Sequence, residues 1–168
     1  MLEEKLLIEL VKYVKKHSSN IEYNICEPIL YCKNNVCNEA QNIEIEDFIN
    51  HKRKSPFNQV LFGFIDKKGF SDSNVYKKAD IDRRLFSKIR SNTNYHPGKN
   101  TVIALALALE LSKKETDELL SSAGYSLTEC DTFDLVIQFC INKKIYNIQN
   151  VNEALDYFSL KPLIGAEA

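Results

Sequence analysis

The sequence predicts an all-α chain, and three observations carry that prediction. Apolar residues recur at three- and four-residue spacings over 2–16, as Leu2, Leu6, Leu10, Tyr13 and as Leu7, Val11, Val14. Helix-capping signals punctuate the chain from Ser55 onward. The most apolar run, VIALALALEL at 102–111, is built largely of Ala and Leu, the strongest helix formers, although its alternation imitates a strand. With 168 residues, the chain fits one compact domain, or one domain with an appendage.

The elements follow in order. Residues 2–16 form an amphipathic helix with Lys12, Lys15 and Lys16 gathered toward its C-terminal end, where the helix dipole favours cations. From Ser18 to Asn50 the Asn-rich sequence loses its period. An irregular subdomain or short strands fit there, and NIEIEDFIN at 42–50 reads equally as a brief strand or a helix. HKRKSP reads as a linker, so 1–54 is expected to be a small N-terminal appendage.

Ser55-Pro56 is a helix start, a capping hydroxyl before proline at the first helical position, and Gly69 stops that helix. Ser71 or Ser73 caps NVYKKAD, and Asp82 caps RRLFSKIR, whose apolar face is Leu85, Phe86 and Ile89. SNTNYHPGKN is a loop by composition. The run at 102–111 is then a central helix, apolar almost all round. Ser112 and Glu115 make a capping box opening a helix that ends at Gly124. Thr128 with Asp131 offers a weaker start for ECDTFDLVIQFCINKK, and a last helix runs from about Ile148 to Phe158. Residues 55–127 form the expected core, and 128–168 a helical extension that packs on it or forms an interface.

Charge is unevenly distributed. Residues 1–51 carry a net −4, residues 52–127 a net +6 and residues 128–168 a net −3. Six of the cations fall between Lys77 and Arg90, with Asp80 and Asp82 as the carboxylates among them. A basic module between acidic flanks points toward a polyanionic partner.

Other chemistries find little support. There is no Gly-rich phosphate loop, H-E-x-x-H or G-x-S-x-G, so no enzyme and no cofactor are expected. Cys26, Cys32 and Cys37 are spaced C-x5-C-x4-C, too widely for the usual zinc pairs. Reduced, metal-free thiols are expected at these positions. No apolar run approaches the roughly 18 residues of a membrane span, and the acidic N-terminus does not read as a signal peptide. The expected location is the cytoplasm.

Residues 56–125, about 70 positions, resemble the lambda-repressor-like helix-turn-helix fold, in its xenobiotic-response-element class. The resemblance rests on Ile81-Asp82 at the turn, Phe86-Ser87 and Ile89 in the following helix, then TVIALALALEL and KKETDELLSSAGY. The segment from Ser55 to Gly165 is also similar to a family of uncharacterised bacterial helix-turn-helix-like proteins. It shares with them the string IDR-LFSKIRS, ALALALEL and AGY. The resemblance implies a five-helix repressor-like core, in which 83–90 is the DNA-recognition helix. Arg83, Arg84, Ser87 and Lys88 would then face the major groove, with Lys77, Lys78, Asn92 and Lys99 toward phosphates. Three positions depart from the family pattern: Tyr76 replaces a small Ala at the helix crossing, Asp80 the turn Gly, and Asp72 a phosphate-binding Gln. The implied function is a DNA-binding, transcriptional-regulator-like protein. The alternative is a protein-interaction adaptor on the same scaffold, with an acidic protein or a second copy of the chain as its partner.

Overall fold

The computed structural model describes residues 4–18 and 39–164, and all regular structure among them is helical. The helices are α1 (Glu4–Ser18), α2 (Glu39–Lys52), α3 (Phe57–Lys68), α4 (Asp72–Lys78), α5 (Arg83–Ser91), α6 (Lys99–Ala108), α7 (Lys113–Ser122), α8 (Thr132–Asn142) and α9 (Ile148–Tyr157). The chain divides into two compact units, one of Met1–Ile21 with Pro56–Ala168 and the other of Glu22–Ser55.

The larger unit is organised around α6. Every residue from Val102 to Leu109 is buried, and α4, α7 and α9 all pack on this helix. Ala104, Ala106 and Ala108 explain how one helix accepts neighbours on several sides, since a methyl group lets backbones approach where Leu would hold them apart. The apparent strand alternation is thus a helix with a small side chain beside every large one.

α8 forms the second centre, contacting α1, α7 and α9. Leu10 and Val14 of α1 are buried in the common core, and the Tyr13 ring lies 5.6 Å from that of Phe139. The expected appendage over 1–54 is therefore divided. The first helix belongs with the core, because its apolar stripe is buried against α8. Within the smaller unit, 39–52 is helical, so NIEIEDFIN is helix and the start of the expected linker, His51-Lys52, is its last turn. The segment 19–38, with Cys26, Cys32 and Cys37, lies outside the described residues.

Six helices end in the same way. The residues Gly69, Asp80, Glu110, Gly124, Lys144 and Ser159 all take positive φ, between 52° and 76°. In each turn the N–H of the following residue donates to a carbonyl five residues back, as from Ile81 to Tyr76 at 3.0 Å and from Leu111 to Ala106 at 3.1 Å. That following residue is always apolar: Phe70, Ile81, Leu111, Tyr125, Ile145 or Leu160, and each joins the core or packs against it. This is the Schellman closure with its hydrophobic contact. Gly supplies only two of the six left-handed positions, so most of these turns are held by the apolar anchor rather than by glycine. In three of them the next residue caps the following helix, producing the triplets Gly69-Phe70-Ser71, Asp80-Ile81-Asp82 and Glu110-Leu111-Ser112.

Two helix starts differ from expectation. Pro56 itself occupies the cap position of α3, with no side-chain bond from Ser55, and the helix begins at Phe57. α8 is capped by Asp131, which accepts from the Phe133 N–H at 3.1 Å. Thr128 instead donates to Asp134.

Candidate functional site

The basic stretch folds as α4, a tight turn and α5. Ser71 caps α4 by accepting from the Asn74 N–H, and Asp82 caps α5 by accepting from the Arg84 N–H at 2.5 Å. Val75 of α4 and Ala79 just after it are buried, as are Phe86 and Ile89 of α5. Asp80 adopts φ 52°, a left-handed conformation that Gly takes most readily. Asn and Asp are the non-glycine residues that tolerate it best.

Aromatic contacts fill the space between these helices. Tyr76, in the position where a small residue was expected, sets its ring 5.9 Å from Phe86, and Phe62 of α3 meets the same ring edge-on at 6.1 Å. The bulk of Tyr76 is thus taken up as packing area. Arg90 lies over Phe62, at 4.8 Å from the ring centre, and forms an ion pair with Asp72. The carboxylate that would repel a phosphate is engaged within the protein itself.

The burial of Phe86 and Ile89 fixes which side of α5 faces out. Arg83, Arg84, Ser87 and Lys88 are all exposed, and their spacing sets them on one face. Among the described residues, no carboxylate forms an ion pair with Arg83, Arg84 or Lys88. The Lys88 ammonium lies 4.5 Å over the Tyr95 ring, which steadies it at the far end of that face. Lys77, in the last turn of α4, is also exposed.

The other three expected residues are placed differently. Lys78 donates to Glu110 at 2.9 Å and lies 4.7 Å over the Phe70 ring, tying α4 to the end of α6. Lys99 stands 2.7 Å from the Asp134 carboxylate, which is 1% exposed. Thr128 gives the same carboxylate its N–H at 2.8 Å and its hydroxyl at 3.1 Å. Gln138 donates to the Thr128 carbonyl, and Lys113 donates to Gln138. Lys99 is therefore the counter-ion of a buried acid. Asn92 accepts from the Asn94 N–H at 3.0 Å and closes the turn after α5. Sequence reasoning missed Asp134 and Glu110, and it missed the pairing of Asp72 with Arg90. Each meets its cation from a distant part of the chain or across a helix pair, and spacing carries no sign of that.

Among the described residues, no cluster of three or more His, Cys, Asp or Glu that would hold an ion occurs. Cys130 is exposed and Cys140 buried, and burial pushes the Cys140 thiol up to about 12. No described helix is long and apolar enough to cross a membrane. No protein-family model, curated protein or solved structure matches the chain.

Proposed function

We propose that the protein binds double-stranded DNA as a helix-turn-helix, transcriptional-regulator-like protein, with α5 as the recognition helix. The observation that carries this reading is the outer face of α5: Arg83, Arg84, Ser87 and Lys88 stand together and exposed, opposite buried Phe86 and Ile89. A recognition helix contacts base edges chiefly through its N-terminal residues, and the two arginines are the first two residues of α5. Their forked guanidinium groups match guanine N7 and O6. That placement is unfavourable for the isolated helix, because the N-terminal end of the dipole repels cations. A phosphate-bearing partner reverses the sign of that cost. Lys88 shares their face toward the groove, and Lys77, at the end of α4, serves the phosphate backbone.

One observation favours the second reading, a protein-interaction adaptor on the same scaffold. Lys78 and Lys99, two of the cations expected to meet phosphates, are held by Glu110 and Asp134. An acidic protein surface needs fewer cations than a long phosphate track.

Fluorescence anisotropy on random and selected duplexes across a salt series separates the two. DNA binding predicts affinity that falls steeply with salt. Arg83→Ala and Arg84→Ala should each weaken the selected duplex by about ten- to a hundredfold, equivalent to roughly 1–3 kcal/mol, with no loss of thermal stability. Absence of salt-dependent duplex binding by the wild-type protein at moderate ionic strength removes the DNA reading and leaves the adaptor.

A further inference from the structure

Three of the five large apolar side chains that stand exposed among the described residues lie on α2: Ile45 at 55%, Phe48 at 63% and Ile49 at 45%. Soluble surfaces scatter such residues singly, so three on one helix mark an interaction site. With Lys52, whose ammonium lies 6.0 Å over the Phe48 ring, they form one stripe at spacings of three and four residues. A helix of 14 residues draws most of its stability from a packed face. Every residue from Glu44 to Lys52 is exposed, so over these positions α2 has no such face and calls for a partner.

The charges beside the stripe identify that partner. At about 100° per residue, Glu44 and His51 border it on one side, and Glu46 and Arg53 on the other. Arg53 follows the last residue of α2, yet its N–H donates to the Ile49 carbonyl at 2.8 Å and so continues the helical turn. Both borders thus run from an acid to a basic residue in the same direction along the helix. Glu44, Glu46 and Arg53 are exposed and make no ion pair among the described residues. We propose that α2 is a homodimer interface, in which α2 of a second copy lies antiparallel against it about a two-fold axis.

Self-complementarity supports a second copy over an unrelated partner. An antiparallel two-fold sets each border against the same border of the other copy, with its direction reversed. Glu46 then faces Arg53. On the other side Glu44 faces His51, whose Nδ1 lies 2.8 Å from the Asp47 carbonyl, leaving Nε2 to the partner. Along the seam Phe48 meets Ile49 and Ile45 meets the apolar stem of Lys52, and the two-fold repeats every pair. A parallel pairing would oppose unlike borders, setting Glu44 against Glu46 and His51 against Arg53. An isologous interface must match itself in this way, whereas a foreign helix has no reason to. The inference is independent of the DNA reading, since none of these residues lies on α5.

The test is sedimentation equilibrium of the full chain over a wide concentration range. Wild-type protein should show a monomer–dimer equilibrium, which Phe48→Asp should shift to monomer. Glu46→Arg and Arg53→Glu should each weaken dimerisation by roughly tenfold, because each single reversal creates two like-charge pairs. An equimolar mixture of these two single variants should regain dimers to within about threefold of wild-type affinity, since opposite charges then meet at both ends of the heterodimer. Pairing within one chain cannot produce that rescue. Thermal unfolding of each variant checks that it remains folded. Should Phe48→Asp disturb folding, the mixture decides alone. A protein that stays monomeric throughout overturns the proposal. So does a dimer indifferent to the single reversals, which would point to another surface such as the groove bordered by Ile8 and Tyr157, or a mixture that fails to recover.

Discussion

Helices α5, α6 and α7 all begin with cations, at the end where the dipole disfavours them, but they treat those cations differently. α6 opens on Lys99, which is matched to buried Asp134. α7 opens on Lys113 and Lys114, with Glu115 in the same turn completing a capping box. α5 opens on Arg83 and Arg84 with no acid in its first turn, and the nearest carboxylate, Asp82, is already bonded to the Arg84 N–H. In two helices the opening cation is matched within the fold, whereas in the third Asp82 caps the backbone and, among the described residues, neither arginine side chain has a carboxylate partner. A charged residue's function is thus carried less by its sign than by whether the fold supplies its counter-charge.

The largest expected effect comes from breaking the compensated case. Asp134→Ala strands Lys99 and leaves both Thr128 donors without an acceptor, so unfolding free energy should fall by about 3 kcal/mol, read from urea denaturation. A loss below 1 kcal/mol would mean that the pair only decorates the core.

The capping box gives a smaller effect with a defined pH course. Bonds from the Ser112 backbone and hydroxyl, with Lys67 and Lys68 nearby, lower the Glu115 carboxyl from 4.5 to about 2. Between those values the unfolded chain holds the extra proton. The stabilisation is therefore complete above about pH 4.5 and is lost as pH falls through about 2. The difference in urea midpoint between wild type and Glu115→Gln should accordingly shrink over that interval. Ser112→Ala, which removes the cap hydroxyl, should cost about 1 kcal/mol at neutral pH.

The smallest effect has the opposite sign. The double substitution Arg83→Ala, Arg84→Ala should raise stability by about 0.5 kcal/mol, because it removes cations from the wrong end of α5 and adds the best helix former. A loss of stability in the same denaturation assay would show that the arginines are held by contacts within the protein.

Much of the fold was legible because the relevant forces are local. The capping pair Ser112 and Glu115, the cap at Asp82, the stop at Gly69 and the helix propensity of 102–111 each act within a few residues. The turns at Asp80, Glu110, Lys144 and Ser159 were harder to read. Their left-handed positions lack glycine, and the signal that replaces it is an apolar residue one place later. At the site, the outer face of α5 followed from the helical spacing of Phe86 and Ile89. The roles of Lys78 and Lys99 did not, because their partners lie 32 and 35 residues away in sequence and meet them only through packing.

The triplet turns also limit how this chain can change in length. In Asp80-Ile81-Asp82 the first residue reverses the backbone, the second anchors in the core and the third caps the next helix, so no position is spare. An inserted residue would displace one of these tasks or turn α5 by about 100°, carrying Arg83 and Arg84 off their face. Gly69-Phe70-Ser71 and Glu110-Leu111-Ser112 impose the same restriction before α4 and α7. Among relatives of this chain, insertions and deletions should therefore gather in stretches such as 92–98, while the spacings from Gly69 to Asp82 and from Glu110 to Ser112 stay constant.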